Sequence, residues 1–206
     1  MDLGACHRVL SWSLNAPGFV NASRIIWREV RNAELPPDMD VSGWLQGQLR
    51  EKGQPDAVAM LTSRDLDAYE TARATVDGVT ATCVATVGLS NGEHIGARVD
   101  RRGKHWGTIN LAVCLDTALG DAALIETLSI ATQARTAAVM AVSYRLPTGI
   151  ATGTGTDCIA VAAPAGQARF AGLHTPIGEA VGRAVYDAIH TGAQVWMNKV
   201  RRRDDP

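Results

Sequence analysis

Residues 176–192 carry the pattern that most constrains the fold of this chain. Their apolar side chains recur at intervals of three and four residues, so an α-helix would gather them on one face. That face consists of Ile177, Ala180, Val181, Ala184, Val185, Ala188 and Ile189. Thr175 is placed to be the N-cap, Pro176 suits the first helical position, and Gly192 can stop the helix at its C-terminal end.

Alternating or continuous apolar runs predict strands in the rest of the chain. We expect strands at 8–14, 23–30, 57–61, 79–87, 109–115 and 158–163, with a short helix as the alternative for 23–30. Ser42 is placed to cap a short helix ending at Glu51, and a long Ala-rich helix is predicted from about Asp121 to Val142. The order of elements predicts an α+β class, a mixed α/β sandwich whose largely antiparallel sheet packs against two long helices of the C-terminal half.

The length and composition of the chain fit one domain. It has 206 residues, of which 46% are hydrophobic and 20% charged, as in an ordinary globular protein. The glycine-containing residues 88–104 predict an exposed loop that joins two strands, and no linker divides the chain. We therefore expect a single domain over 1–206, with its motifs between 80 and 192 and a disordered tail at 200–206.

The charge and the cysteines limit the partners and the cellular compartment. A net charge of −1 gives no broad attraction to polyanions, so neither nucleic acid nor a membrane is an expected partner. The first ten residues carry Asp2, His7 and Arg8 where a secretory signal needs an apolar core, which predicts a cytoplasmic protein. Four widely spaced cysteines are typical of buried reduced thiols: Cys6, Cys83, Cys114 and Cys158. The oligomeric state stays open, and a homo-oligomer is compatible with the sequence.

Two short segments contain residue types suited to binding or catalysis. Thr152–Asp157 packs three hydroxyls, two glycines and a carboxylate into six residues, which suits either a ligand loop or a tight turn. His174 precedes a helix start, where the positive end of the dipole favours a neutral imidazole, and Glu179 lies one turn further on. A structural role is the alternative for both residues, since Glu179 and Arg183 can form a surface ion pair.

Small polar residues also occur at the ends of the two clearest strands. Ser90 and Asn91 follow the first strand, and Thr108 and Asn110 begin the second. Turn formation explains Ser90 and Asn91 equally well, whereas a buried Asn110 needs hydrogen-bond partners. The five histidines are scattered, and the sequence contains no zinc helix, serine hydrolase elbow or papain-like cysteine motif, so no metal site is predicted.

Read together, five segments resemble the adenosylcobinamide amidohydrolase family in their order and spacing. They are Val87-Gly88-Leu89-Ser90-Asn91, Gly107-Thr108-Ile109-Asn110, Ala131-Thr132-Gln133-Ala134-Arg135-Thr136-Ala137-Ala138, Thr152-Gly153-Thr154-Gly155-Thr156-Asp157 and Gly172-Leu173-His174-Thr175. Gln133, Arg135 and Leu173 depart from the family pattern, in which Glu, Lys and Thr are expected. Because an amide cannot act as a base, Gln133 is not a catalytic candidate.

The resemblance implies hydrolysis of the aminopropanol amide of adenosylcobinamide to adenosylcobyric acid, a corrinoid salvage step in cobalamin biosynthesis. The corrinoid is then the substrate, no cofactor is implied, and the metal requirement stays open. Amide hydrolysis needs an activated water or nucleophile, donors for the oxyanion and an acid for the departing amine. The titrating groups at loop or helix-start positions in or beside the matched motifs are the candidate catalytic residues: His174, Asp157 and Glu179. The expected substrate-binding residues are Ser90, Asn91, Trp106, Thr108, Asn110, Thr152, Thr154, Thr156 and Thr175. Trp106 could stack on the ring or the adenosyl group, and a rim or core position is the alternative for it.

Two other functions stay open at this point. A corrinoid-binding or carrier protein could use the same cleft without chemistry. It would be expected to offer a cobalt-ligating histidine in an exposed loop, for which His94 is the obvious candidate. An enzyme that acts on another amide or on a phosphate ester is the second alternative.

Overall fold

Most strands of the protein join one mixed sheet in the computed structural model, which describes residues 1–31, 34–36, 38–100 and 107–199. In chain order the strands are β1 (Asp2–Ser11), β2 (Gly18–Glu29), β3 (Val58–Thr62), β4 (Tyr69–Val76), β5 (Val79–Val87), β6 (Gly92–Glu93), β7 (Ile109–Leu115), β8 (Arg145–Leu146), β9 (Gly149–Ile150), β10 (Gly153–Thr154) and β11 (Cys158–Ala163). The helices are α1 (Val41–Glu51), α2 (Asp121–Ala141) and α3 (Pro176–Lys199).

The sheet has seven strands in the order β3-β2-β1-β11-β7-β5-β4. The pairs β3–β2 and β11–β7 are parallel, and the other neighbours are antiparallel. Cys158 of β11 lies opposite Asn110 of β7, so the segments that precede these two strands meet at one edge of the sheet. The predicted α+β class with a largely antiparallel sheet is confirmed.

Helices α2 and α3 cover one face of the sheet. The seven apolar residues predicted to form one face of α3 are all buried, against side chains of β5, β7 and β11 that alternate toward the same side. Full removal of the valine and isoleucine side chains of this face from water contributes about 1.5–3 kcal/mol each. The apolar contacts between these helices and the sheet therefore account for most of the core.

The opposite face is covered by the sheet itself, because β2 and β3 curl over it. Val58 and Met60 of β3 pack in one cluster with Ala112 of β7 and Ala160 of β11, although β3 and β7 are not neighbours in the sheet. Helix α1 packs on the outer side of β3 through Leu45 and Leu49. The N-terminal ends of β7 and β11 are thus partly roofed by β3.

Two predicted helix boundaries were wrong. The N-cap of α1 is Asp40, whose carboxylate accepts a hydrogen bond from the Gly43 amide at 2.9 Å, and Ser42 lies inside the helix. Helix α3 does not stop at Gly192 but continues to Lys199. A Cβ at Gly192 would come within 2.7 Å of the Val87 side chain, so this glycine permits close packing of α3 on β5.

Strand β4 was not predicted, although a signal for it is present. Asp77 and Gly78 join β4 to β5, and both have positive φ, 46° and 85°. An Asp-Gly pair in this conformation is the preferred two-residue connection of a β-hairpin. The alternation of Tyr69–Val76 before the turn completes the pattern.

The remaining expectations concern the tail, the membrane and the thiols. The tail predicted at 200–206 lies outside the described residues. Of the helices that the structure describes, none combines the length and the hydropathy needed to cross a bilayer. All four cysteines are free; Cys83 is buried and Cys114 and Cys158 are half-buried, whereas Cys6 is exposed.

Candidate active site

A cleft of about 750 Å³ opens where β3 crosses the N-terminal ends of β7 and β11. Its walls come from both layers: Ala59, Met60, Leu61, Gly107, Thr108, Asn110, Gly155, Thr156, Asp157 and Cys158. Trp12 and Leu14 lie at its edge and are 46% and 56% exposed. A largely apolar cleft of this size with a few polar groups is typical of a small-molecule site.

The carboxylate of Asp157 is the most constrained charged group of the cleft. Oδ1 accepts hydrogen bonds from the Ile109 amide at 3.2 Å and from the Thr154 hydroxyl. Oδ2 accepts from the Thr154 amide at 3.1 Å and pairs with Nη1 of Arg135 at 2.7 Å. Burial raises the pKa of the Asp157 carboxyl, while Arg135 and the Thr154 and Ile109 donors oppose that rise. We call Asp157 and these three partners the Asp157 clasp.

Arg135 reaches the clasp from the middle of α2. Its Nη1 also donates to the Thr152 carbonyl at 2.9 Å, and its side chain is only 13% exposed. Gly153 makes this approach feasible, since a Cβ there would lie 1.7 Å from Nη1. The guanidinium thus ties the loop 152–157 to α2.

A second network joins the two strand ends at the floor of the cleft. Asn110 is fully buried, and its amide donates to the Leu61 carbonyl of β3. The Thr108 hydroxyl lies 3.3 Å from Oδ1 of Asn110 and donates to the Thr156 carbonyl at 2.8 Å. The buried Asn110 therefore finds the partners that the sequence analysis required, and it connects β7 to the roof of the cleft.

Asn91 orients the turn that borders the cleft. Its Nδ2 donates to the Thr156 hydroxyl at 3.2 Å, and that hydroxyl donates to the Gly107 carbonyl at 3.0 Å. Gly107 has no room for a side chain, because a Cβ would lie 2.4 Å from the Ser90 hydroxyl oxygen. Ser90, Asn91, Gly107 and Thr156 are thus packed against one another, as the adjacent strand ends require.

Thr152 fixes the segment 92–95 rather than the cleft wall. Its hydroxyl donates to the Glu93 carbonyl at 3.2 Å and accepts from the Ile95 amide at 2.9 Å. Because the β6–β10 pair brings Glu93 opposite Gly153, this contact holds residues 92–95 against the loop 152–157.

The structure does not bring His174 and Glu179 to this cleft. Asp157 directly precedes β11, whereas the segment 164–175 follows the last residue of that strand. This segment contacts the start of α2, because the Ala168 carbonyl accepts a hydrogen bond from the Gly120 amide at 2.9 Å. A six-residue strand separates the two ends by roughly 20 Å. His174 is exposed, and Glu179 forms the predicted surface ion pair with Arg183. Thr175 is the α3 N-cap, accepting from the Gly178 amide at 3.0 Å.

Two residues beside the loop were not predicted from the sequence, and one predicted residue lies outside the described part of the chain. The Trp12 indole donates to the Asp157 carbonyl at 2.7 Å, although the side chain is 46% exposed. The Cγ of Glu93 would lie 3.8 Å from a Cβ at Gly155, which places a second side-chain carboxylate near the turn. Trp106 lies outside the described residues.

The titratable groups that line the cleft are Arg31, Asp157 and Cys158. Burial, and then the Asp157 charge, raises the pKa of the Cys158 thiol to about 12, so it stays protonated at neutral pH and is a poor nucleophile. Within the described residues, no three His, Cys, Asp or Glu side chains converge as metal ligands. Asp157 therefore supplies the carboxyl group among the described lining residues.

A family comparison identifies the class of protein. The family model named CbiZ, adenosylcobinamide amidohydrolase, matches residues 1–201. The chain belongs to the adenosylcobinamide amidohydrolase family. Comparison with curated proteins gives no match. Among solved structures, the PH0078 protein from Pyrococcus horikoshii OT3 is similar with 12% sequence identity and a TM-score of 0.46, covering 95% of this chain and 74% of that one.

Two of the five segments that resemble adenosylcobinamide amidohydrolases contribute residues to the cleft walls, and two others contact the loop 152–157 from outside the cleft. Residues 107–110 and 152–157 line or support its walls, Asn91 holds the turn, and Arg135 reaches it from α2. The segment 172–175 caps α3 at the other end of the sheet. The family match reaches from residue 1, so it also includes the β1–β3 roof that sequence motifs alone left out.

Proposed function

We propose that the protein hydrolyses the amide that joins aminopropanol to adenosylcobinamide, releasing adenosylcobyric acid. Two of the segments that resemble the family line one largely apolar cleft, and two more hold those residues in place through Asn91 and Arg135; this is the observation that carries the proposal. The corrinoid has several other amides, so the protein must hold the whole ring before it presents one amide to the reacting groups. The product would return scavenged corrinoids to cobalamin biosynthesis.

Asp157 takes the acid–base role in this proposal. Its burial raises the carboxyl pKa, which makes it a better proton acceptor than an exposed aspartate. The Thr154 hydroxyl already donates to Oδ1, so it offers a proton path: it would pass its proton to Asp157 while taking one from the attacking water.

Donors for the oxyanion would come from the floor of the cleft. The Nδ2 group of Asn110 carries two N–H bonds, of which the Leu61 carbonyl takes one. The second is suited to the oxygen that becomes negative in the tetrahedral intermediate. His174 and Glu179 take no part, because they lie at the far end of β11.

Turnover in H₂¹⁸O tests the reaction directly. We expect adenosylcobyric acid that carries one ¹⁸O in its new carboxylate, together with free aminopropanol, both detected by mass spectrometry. Asp157→Asn should lower turnover by about 10²–10⁴, whereas the exposed α3 variant Asp187→Asn serves as the matched control. His174→Ala should keep most of its activity. Strong loss in His174→Ala with an active Asp157→Asn would refute the assignment.

The pH dependence gives a further check on Asp157. A general base acts in its ionised form, so kcat/KM should fall as pH decreases through the pKa of the carboxyl. Because burial raises that pKa, the acid limb should lie above the usual range of an aspartate. A limb at or below that range would contradict the role of Asp157.

One observation favours the second function, corrinoid binding without chemistry. Four donors surround the Asp157 carboxylate, and a carboxylate offers about four lone-pair positions in total. These positions are then all occupied, as in a clasp whose role is only to hold the loop 152–157. Tight binding of adenosylcobinamide with no ¹⁸O-labelled product would establish this function instead.

A further inference from the structure

His94 has a side-chain environment that the proposed reaction does not use. Its Nδ1 lies 2.7 Å from the Ile150 carbonyl oxygen, and the ring packs against Gly149, where a Cβ would lie 3.0 Å from Nδ1. A carbonyl oxygen can only accept, so Nδ1 must be the protonated nitrogen. The lone pair of the neutral ring is then on Nε2, and among the described residues only Nδ1 has a partner.

This arrangement is the one that prepares histidine to bind a metal. Ligating histidines usually donate the other ring N–H to a backbone carbonyl or a carboxylate, which fixes the tautomer and the ring orientation. The backbone around His94 is also fixed, since the Ile95 amide donates to the Thr152 hydroxyl. Ile95 itself is 79% exposed, so the segment that carries His94 reaches the protein surface.

The position of His94 relative to the cleft suits a large flat ligand. Glu93 pairs with Gly153, and Gly155 and Thr156 border the cleft two and three residues further on. Strand spacings place His94 on the order of 10 Å from that turn. A ring centred over His94 could therefore cover the loop 152–157 and extend one arm into the cleft.

We propose that Nε2 of His94 binds the cobalt of the corrinoid through its lower axial position, an inference that rests on the proposed function. Cobinamides lack the nucleotide base that occupies this position in complete cobalamins, so water holds it in the free substrate. Binding exchanges ligands without redox chemistry: the cobalt–water bond breaks, the cobalt–Nε2 bond forms and one water is released. The arm with the aminopropanol amide leaves the ring on this same face, toward the cleft. His94 would thus select corrinoids whose lower face is open.

Electron paramagnetic resonance of cob(II)inamide bound to the full-length protein tests this ligation. An axial ¹⁴N splits each cobalt hyperfine line into three, and uniform ¹⁵N labelling of the protein should convert three into two. His94→Asn should abolish the splitting, because the Asn amide can still donate to Ile150 but offers no nitrogen lone pair. His174→Ala, at the far end of the sheet, should retain it.

Steady-state kinetics provide the functional readout. His94→Asn should raise KM for adenosylcobinamide by about tenfold with little change in kcat, as expected for loss of uniform binding. The preference for adenosylcobinamide over adenosylcobalamin should decrease in the same variant. Absence of nitrogen splitting in an active wild-type protein would overturn the ligation and leave the proposed hydrolysis standing. Nitrogen splitting without any hydrolysis would support the ligation and refute the proposed hydrolysis.

Discussion

Replacing Gly153 with alanine is the sharpest test of the Asp157 clasp. The added Cβ would lie 1.7 Å from Nη1 of Arg135 and 2.7 Å from Oδ2 of Asp157. Gly153 does not have a positive φ, so alanine brings no backbone strain of its own. The methyl group must therefore displace the buried ion pair, whose side chains are 13% and 7% exposed.

The expected cost follows from the burial of that pair. Breaking a buried ion pair typically lowers the free energy of unfolding by about 3–5 kcal/mol. Because the flexible Arg135 side chain can relieve part of the clash, we expect a loss at the lower end, about 3 kcal/mol. For a chain of this size each kcal/mol lowers Tm by about 2–4 °C, which predicts a decrease of about 6–12 °C. Displacement of the loop 152–157 by about 1 Å should also lower turnover by up to 10²-fold.

Thermal unfolding followed by circular dichroism, with the hydrolysis assay, measures both effects. Gly155→Ala is the matched control for stability, because in the same loop its Cβ would meet nothing closer than 3.8 Å. If Gly153→Ala and Gly155→Ala unfold at the same temperature, and Gly153→Ala turns over like the wild type, then the clasp does not hold the loop and the reasoning fails.

Three further predictions concern other parts of the molecule. Iodoacetamide at pH 7.5 should modify the exposed Cys6 rapidly and the other three thiols only after unfolding. The reason is that burial raises the pKa of the Cys114 thiol to about 11, that of Cys158 to about 12, and that of Cys83 as well. Mass spectrometry that finds several fast-reacting thiols would contradict this. Gly192→Ala should destabilise the protein by about 1–3 kcal/mol in urea unfolding, since its Cβ would approach Val87 to 2.7 Å. An unchanged urea midpoint would mean that α3 can move away from β5. Trp12→Ala should raise KM more than it lowers kcat, because the indole borders the cleft and supports the Asp157 carbonyl; Trp12→Phe, which keeps the ring, should lose less.

Periodic segments of the chain were predictable because their own side chains specify them. The strands at 79–87, 109–115 and 158–163 have the bounds that alternation or continuous apolar character indicated. The helix starts were also predictable from local residues: α2 begins at Asp121 directly after Gly120, and α3 begins at Pro176 directly after its N-cap Thr175. Boundaries set by distant contacts were missed, as with Gly192, whose role in α3 depends on Val87 of another element.

The sequence by itself determined which residue types could serve a site, and the tertiary structure decided which of them meet. Asp157 and Asn110 lie 47 positions apart and His174 only 17 positions beyond Asp157, yet Asn110 shares the cleft and His174 does not. The reason is the parallel pairing of β11 with β7, which brings together the segments that precede both strands. One strand length then carries the chain about 20 Å away before His174 is reached. Spacing along the chain cannot report this, because it does not encode at which end of a strand a loop lies.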